Sequence, residues 1–182
     1  MAGSLIKIDE FTVSSGVASV IIGGGTSGSS GLNVSIDSTY DVYMVKYNNV
    51  ECDTDAQYFR IRVTKSSSAD TTSNYDQAYK KLDSTTTFGN RSNTNQTYWE
   101  TEELGTSTQE QNNGVLYLFN FNNASEYSFI TVEESTFNTA QQSTGRQGGA
   151  VHTVASASDG IQFLMASGNI DNGTFTLYGL KK

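Results

Sequence analysis

Alternation of apolar and polar residues with a period of two constrains this chain most, because it marks strands with one face in a core. Between Tyr58 and Lys65 the side chains divide cleanly, with Phe59, Ile61 and Val63 on one face and Tyr58, Arg60, Arg62 and Thr64 on the other. Tyr40 to Tyr47 is apolar or aromatic on both faces, which predicts a central strand that is covered on both sides.

Turn residues separate the other strand segments. We expect strands at Leu5–Val13 and Gly16–Ile22, paired as a hairpin around Ser14-Ser15, and at Gly114–Phe121, Tyr127–Glu133, Gly149–Ala155, Gly160–Ala166 and Thr174–Leu180. The segments Asn122–Ser125 and Asn169–Gly173 supply turns. About eight to ten strands and no long helix result, which predicts an all-β, jelly-roll-like antiparallel β-sandwich.

Two stretches depart from the strand pattern of this single predicted domain, residues 1–182. Residues 23–31 (GGGTSGSSG) form a Gly/Ser tract, which we interpret as a long, flexible hairpin loop. Residues 66–111 are polar, and Tyr75, Tyr79 and Leu82 recur there at helical spacing. We interpret this second stretch as a long polar insertion with one short helix and short strands.

Composition and charge indicate the kind of core, the classes of partner and the place of synthesis. Ten Tyr and nine Phe predict an aromatic core, thin enough to lie between two sheets. Eleven basic against 19 acidic residues give a net charge of −8, which disfavours nucleic acid and anionic membranes. Met1 to Lys7 lacks the basic and apolar regions of a secretion signal, so we expect synthesis in the cytoplasm.

Candidate catalytic groups are few and unpatterned. The only histidine, His152, lies in a predicted strand, and no Gly-x-Ser-x-Gly elbow accompanies it. The only cysteine, Cys52, has no neighbouring His or Cys at metal-ligand spacing. Three carboxylate clusters could supply the acid and base of a glycosidase, Asp53/Asp55, Glu102/Glu103 and Glu133/Glu134, but such pairs arise by chance among 19 acidic residues. We therefore expect no catalytic residues and no enzyme activity.

Binding sites are equally sparse in the sequence. Asp53-Thr54-Asp55 and Asn169–Asn172 offer oxygen ligands for calcium without matching a known calcium loop, and turn chemistry explains both, so we expect no metal and no cofactor. Tyr98 and Trp99 could stack on a glycan or anchor a protein partner. Burial in the core is the alternative for this pair.

Three segments resemble small virion structural proteins of tailed phages, especially phages of marine bacteria. They are IDSTYDVY at 36–43, GVLYLFNFNNASEYSFIT at 114–131 and, most specifically, SGNIDNGTFTLYGL at 167–180. The resemblance runs from about Ile36 to the C-terminus. It implies a jelly-roll sandwich located on the virion, with no catalytic residues.

Two functions follow as expectations. The first is a capsid decoration or cement protein that bridges capsid subunits on the shell exterior, with the major capsid protein or other virion proteins as partners. We expect such a protein to form a homo-oligomer, preferably a trimer. The alternative is a tail- or fibre-associated module that recognises host surface glycans through Tyr98 and Trp99.

Overall fold

Fourteen β-strands make up the computed structural model, which describes residues 4–24, 30–85 and 87–181. No helix is assigned in those ranges. The strands form two largely antiparallel sheets that pack as a jelly-roll-like β-sandwich, so the predicted fold class is confirmed, with fourteen strands where about eight to ten were expected.

The larger sheet has eight strands, and every neighbouring pair in it is antiparallel. Its spatial order is β1 (Ser4–Val13), β14 (Ile170–Lys181), β4 (Val42–Cys52), β10 (Asn112–Phe119), β11 (Ser128–Phe137), β12 (Ser143–His152), β7 (Tyr75–Asp83) and β8 (Gly89–Gln96). The first and last strands in the chain are therefore direct neighbours.

The smaller sheet has a five-strand path and one additional strand. Its order is β3 (Gly31–Leu32), β2 (Ser19–Gly23), β13 (Gly160–Met165), β5 (Gln57–Lys65) and β6 (Ser68–Ala69). The additional strand, β9 (Trp99–Leu104), pairs with the other end of β5. β2 and β3 are parallel, so the two strands that flank the Gly/Ser tract do not form a hairpin. Residues 25–29 of that predicted loop lie outside the described residues.

An aromatic cluster fills the space between the sheets, as the composition predicts. The larger sheet contributes Tyr47 and Phe175, and the smaller sheet contributes Phe59 and Phe163. All four side chains are fully buried, and their rings contact one another at centroid distances from 5.1 to 6.4 Å. Burying four aromatic rings at one place provides a large share of the apolar area that holds the two sheets together.

Strands with strong alternation lie where they are expected. Phe59, Ile61 and Val63 of β5 are at most 1% exposed, which confirms the half-buried strand. β10 and β11 form the expected hairpin, and its turn is stabilised by hydrogen bonds around Asn123. Local patterning therefore predicts these elements correctly.

Three predicted local features are wrong. The hairpin around Ser14-Ser15 does not form, because β1 pairs with β14 while β2 pairs with β13 of the other sheet. Asn169–Gly173 is not a separate turn, since β14 starts at Ile170 and passes through two register shifts. In residues 66–111 the expected short strands are present as β6, β7, β8 and β9, but the described residues of this stretch contain no helix, and Tyr75, Tyr79 and Leu82 all lie on β7.

Candidate interaction surface

The outward side of the larger sheet carries two adjacent rows of mainly apolar side chains. Residues opposite one another on neighbouring strands point to the same face, so the strand register defines each row. The first row is Leu5, Leu180, Val42, Phe119, Phe129 and Val151, and the second contains Tyr178, Met44, Tyr117, Gly149 and Ala78. We call these two rows the apolar face.

The apolar face is open to solvent within the described part of the chain. Leu5, Tyr117, Phe129 and Leu180 are 42–47% exposed, and no third layer packs over them. Contiguous apolar surface of this kind marks an interaction site more often than scattered exposed residues do. β4 is a central strand, as expected, since it lies between β14 and β10, but the expected cover on its outward side is only partial: Met44 is 8% exposed there, whereas Lys46 is exposed.

A groove runs along one end of the apolar face. Its base is formed by Ala78 and Gly149, which lie opposite each other on β7 and β12. Phe129 lines one side of the groove and Ser92 of β8 lines the other. The volume is about 510 Å³, enough for one or two large apolar side chains of a partner. The small base residues create this depression, because larger side chains at these positions would fill it.

The charges around the apolar face balance. A third row beside it holds Glu10, Lys46, Glu133 and Lys80, while Lys7 and Asp76 lie within the first two rows. These are three basic and three acidic residues. Since the chain has 11 basic and 19 acidic residues in all, the remaining 8 and 16 account for the whole net charge of −8. Within these three rows a partner therefore meets no net charge, while Glu126 lies beside Phe129 in the loop before β11.

The chain matches no family model, and no significant match was found among curated proteins or solved structures. The function of this chain is therefore inferred from the geometry of the molecule.

Trp99, one of the two residues predicted to contact a glycan or partner, lies in the core. Its side chain is 1% exposed, its ring packs edge-on against Tyr75, and its indole N–H donates to the Val151 carbonyl over 3.2 Å. A ring in this position cannot stack on a sugar, so the glycan role is wrong for Trp99 and the burial alternative holds. Tyr98 is half-buried beneath Arg60, whose guanidinium carbon is 4.0 Å from the ring centroid. A contact role for Tyr98 stays a prediction.

Two of the predicted carboxylates meet inside the sandwich. Arg146 lies 3.5 Å from both Glu134 of β11 and Glu102 of β9, and all three side chains are at most 5% exposed. Glu134 also accepts hydrogen bonds from the Tyr47 hydroxyl and the Glu102 backbone N–H, each over 2.9 Å. Because β9 belongs to the smaller sheet, this cluster links the two sheets.

The space beside this cluster is too small for a substrate. A cavity of about 10 Å³ adjoins Arg146 and Gln77, which is roughly the room that one water molecule needs. A glycosidase requires a cleft that admits a sugar between its two carboxyl groups. The pair Glu102 and Glu134 therefore has no such cleft beside it.

His152 is buried at the end of β12. Its ring lies 4.7 Å from the Tyr75 ring, and its Nε2 is 3.4 Å from an Asp70 carboxylate oxygen. Burial lowers the pKa of His152, the nearby Lys65 charge lowers it further, and Asp70 opposes both. With no exposed atom, this imidazole cannot exchange protons with a substrate on the surface.

Metal ligands do not converge in the described ranges, where no group of three or more His, Cys, Asp or Glu side chains could hold an ion. Asp53, a calcium candidate, instead accepts hydrogen bonds from the backbone N–H and the side-chain amide of Asn169, over 2.8 and 2.7 Å. Its carboxylate therefore ties two loops together, as turn chemistry predicts.

Within the described residues, no helix has the length and apolar character to cross a bilayer.

The apolar face was missed by the sequence analysis, although a signal was present. Val115, Tyr117 and Phe119 alternate with Leu116 and Leu118, so β10 is apolar on both sides. Two apolar sides are typical either of a strand covered twice or of a strand with one side reserved for a partner. The sequence alone does not distinguish these two cases.

Proposed function

We propose that this chain is a non-catalytic structural protein of a phage virion, a capsid decoration protein that docks on the shell through the apolar face. The observation that carries the proposal is the exposed, charge-balanced apolar surface on a chain that is otherwise strongly acidic. The resemblance to virion proteins of tailed phages supports the choice of assembly.

The partner surface that fits is apolar and free of net charge, as expected where neighbouring shell subunits meet. If the shell surface is acidic, the acidic remainder of this chain would repel it. The apolar face would not, because its charges balance. One or two apolar side chains of the shell protein would enter the groove beside Phe129. Contact with two subunits at once would then add buried interface that only the assembled shell offers.

The size of the face is adequate for such docking. Seven strands about 4.8 Å apart and three rows about 6.8 Å apart span about 700 Å². A stable interface of standard size buries about 800 Å² on each partner. The apolar face and its charged margin therefore approach one complete binding surface.

The test is binding to purified, undecorated shells. Phe129→Asp places a charge at the groove and should weaken shell binding at least tenfold. Tyr58→Asp is the matched control, because Tyr58 is also aromatic and nearly equally exposed (41% against 43%) but lies on the outward side of the other sheet. Equal binding by both variants, or labelled protein found only on tails of intact particles, would exclude this role.

A glycan-binding role is the second candidate, and one observation favours it. Three aromatic residues are exposed here, Tyr117 on β10, Phe129 on β11 and Tyr127 just before β11, and aromatic rings stack on sugar rings. Saturable binding to particular saccharides on a glycan array, lost in Tyr117→Ala, would support this candidate. A decoration protein should show no saccharide selectivity.

A further inference from the structure

The sheet edges of this molecule are unequally protected. Exposed edges present unpaired backbone groups, which proteins usually blunt with short strands, bulges, charges or proline. The whole chain has no proline, so the other devices must act. At the ends of the smaller sheet, β3 and β6 are two residues each. β9 is mostly buried, with four of its six residues inside.

The two edges of the larger sheet differ from each other. β1 has a register shift between Lys7 and Asp9, and it carries charges at Lys7, Asp9 and Glu10. β8 has eight residues (GNRSNTNQ) with a single charge, Arg91. Its irregularity is confined to the end near Gln96, and Gly89–Asn93 pairs regularly with β7. Among the edges in the described ranges, β8 is the long one without effective protection.

β8 also extends beyond the sandwich. Six of its eight residues are exposed, and of the described strands only β7 packs extensively against it. No described strand of the smaller sheet packs over either side of β8, so both sides of an added strand would also be uncovered. Two backbone carbonyls of β8, those of Asn90 and Thr94, accept hydrogen bonds from exposed side chains of β8 itself, Arg91 and Gln96. These carbonyls therefore face the open edge, and the N–H groups of an added strand would replace the two side-chain donors.

We propose that β8 pairs antiparallel with β8 of a second copy of this chain, so that the two larger sheets join into one. The charges of β8 are compatible with a second copy, because β8 contains no carboxylate and the pairing brings no acidic residues together despite the net charge of −8. An antiparallel edge is also self-complementary about a two-fold axis, which is the commonest symmetry of homo-oligomers.

The geometry of this dimer would strengthen docking on the shell, a consequence that rests on the proposed function. A two-fold axis perpendicular to the joined sheet keeps both apolar faces on the same side. The two grooves, each lined by Ser92 of β8, then lie beside the axis. Two linked faces bind a repetitive surface more strongly than one, because the second contact becomes intramolecular. Edge pairing alone buries little side-chain area, so we expect a weak dimer in solution that shell binding reinforces.

The test measures the oligomeric state of the full chain by sedimentation equilibrium and native mass spectrometry. The wild type should be in monomer–dimer equilibrium. Ser92→Pro removes a backbone N–H on the open edge and should shift the chain to monomer. Ser92→Ala is the matched control, since it changes the same side chain but keeps the N–H, and it should dimerise as the wild type does. Circular dichroism checks that each variant is folded.

A second variant covers the case in which Ser92→Pro does not fold. Asn93→Lys adds a positive charge close to Arg91 and should weaken the dimer at least tenfold by repulsion across the two-fold axis. Its control, Ser135→Lys, adds the same charge on β11, away from the edge. A monomeric wild type at every concentration, or a trimer that neither β8 variant affects, overturns this proposal. Shell binding that depends on Phe129 would still stand in that case, so the two proposals fail separately.

Discussion

The Tyr47 hydroxyl donates a 2.9 Å hydrogen bond to the buried carboxylate of Glu134, joining β4 to β11 across the intervening strand β10. Tyr47→Phe removes this bond and leaves the ring in place. Hydrogen bonds to charged groups contribute about 1.5–3 kcal/mol, and we expect a loss of that size in the free energy of unfolding, measured with urea. Tyr117→Phe, at an exposed ring, should change it by less than about 0.5 kcal/mol. Equal effects would contradict a structural role for the bond.

Arg146 balances the charge that Glu134 and Glu102 bring into the sandwich. Burial raises the pKa of Glu134, while the guanidinium of Arg146 acts in the opposite direction. Arg146→Met should lower the free energy of unfolding by about 3–5 kcal/mol, because it leaves buried carboxylate charge unpaired.

Adding Glu134→Gln to Arg146→Met removes part of that unpaired charge. The double variant should therefore lose less stability than the sum of the two single variants. Urea unfolding of all four proteins in this cycle measures the difference, and simple additivity would show that the two residues are not coupled.

His152 should make stability depend on pH near neutrality. Burial lowers its pKa in the folded chain, whereas in the unfolded chain this pKa is about 6.5. The unfolded state therefore binds the proton more readily, so the free energy of unfolding falls as pH drops through this range. Between about pH 7.5 and about pH 5.5, one unit either side of this value, the wild type should lose more stability than His152→Leu. If the free energy of unfolding changed equally with pH in the two proteins, His152 would not be the source of this pH dependence.

Trp99 is the only tryptophan and offers a direct check on its burial. The folded protein should emit at short wavelength and resist quenching by iodide, because its indole lies in the core. Unfolding in urea should shift the emission to longer wavelength. Binding at the apolar face should leave the emission almost unchanged, whereas strong quenching of the folded protein would place the ring at the surface.

Sequence patterning predicts strands that have one buried side and one exposed side, and it fails for strands without this difference. β5 was predicted correctly because Phe59, Ile61 and Val63 alternate with polar residues. The sequence does not locate β8, because both sides of this strand are exposed and its residues therefore need not alternate between apolar and polar. The pairing of β1 with β14 was missed because local rules favour a hairpin between segments close in the chain.

The candidate interaction surface was harder to predict than the fold. Composition could not show that Trp99 lies inside while Phe129 lies outside, since both are aromatic residues in strands. Which side of a doubly apolar strand faces the second sheet depends on the packing of both sheets. The absence of a covering layer becomes visible only in three dimensions, and so does the balance of charge around it.

The pairing of β1 with β14 also determines how the molecule should respond to mechanical force. Ser4 and Lys181 lie opposite each other at the same end of this antiparallel pair. A pull applied at these two residues would load the hydrogen bonds between the strands one after another, as in opening a zipper. β1 should therefore peel away at low force. A load applied across the sheet through the apolar face would instead be shared by many strands at once.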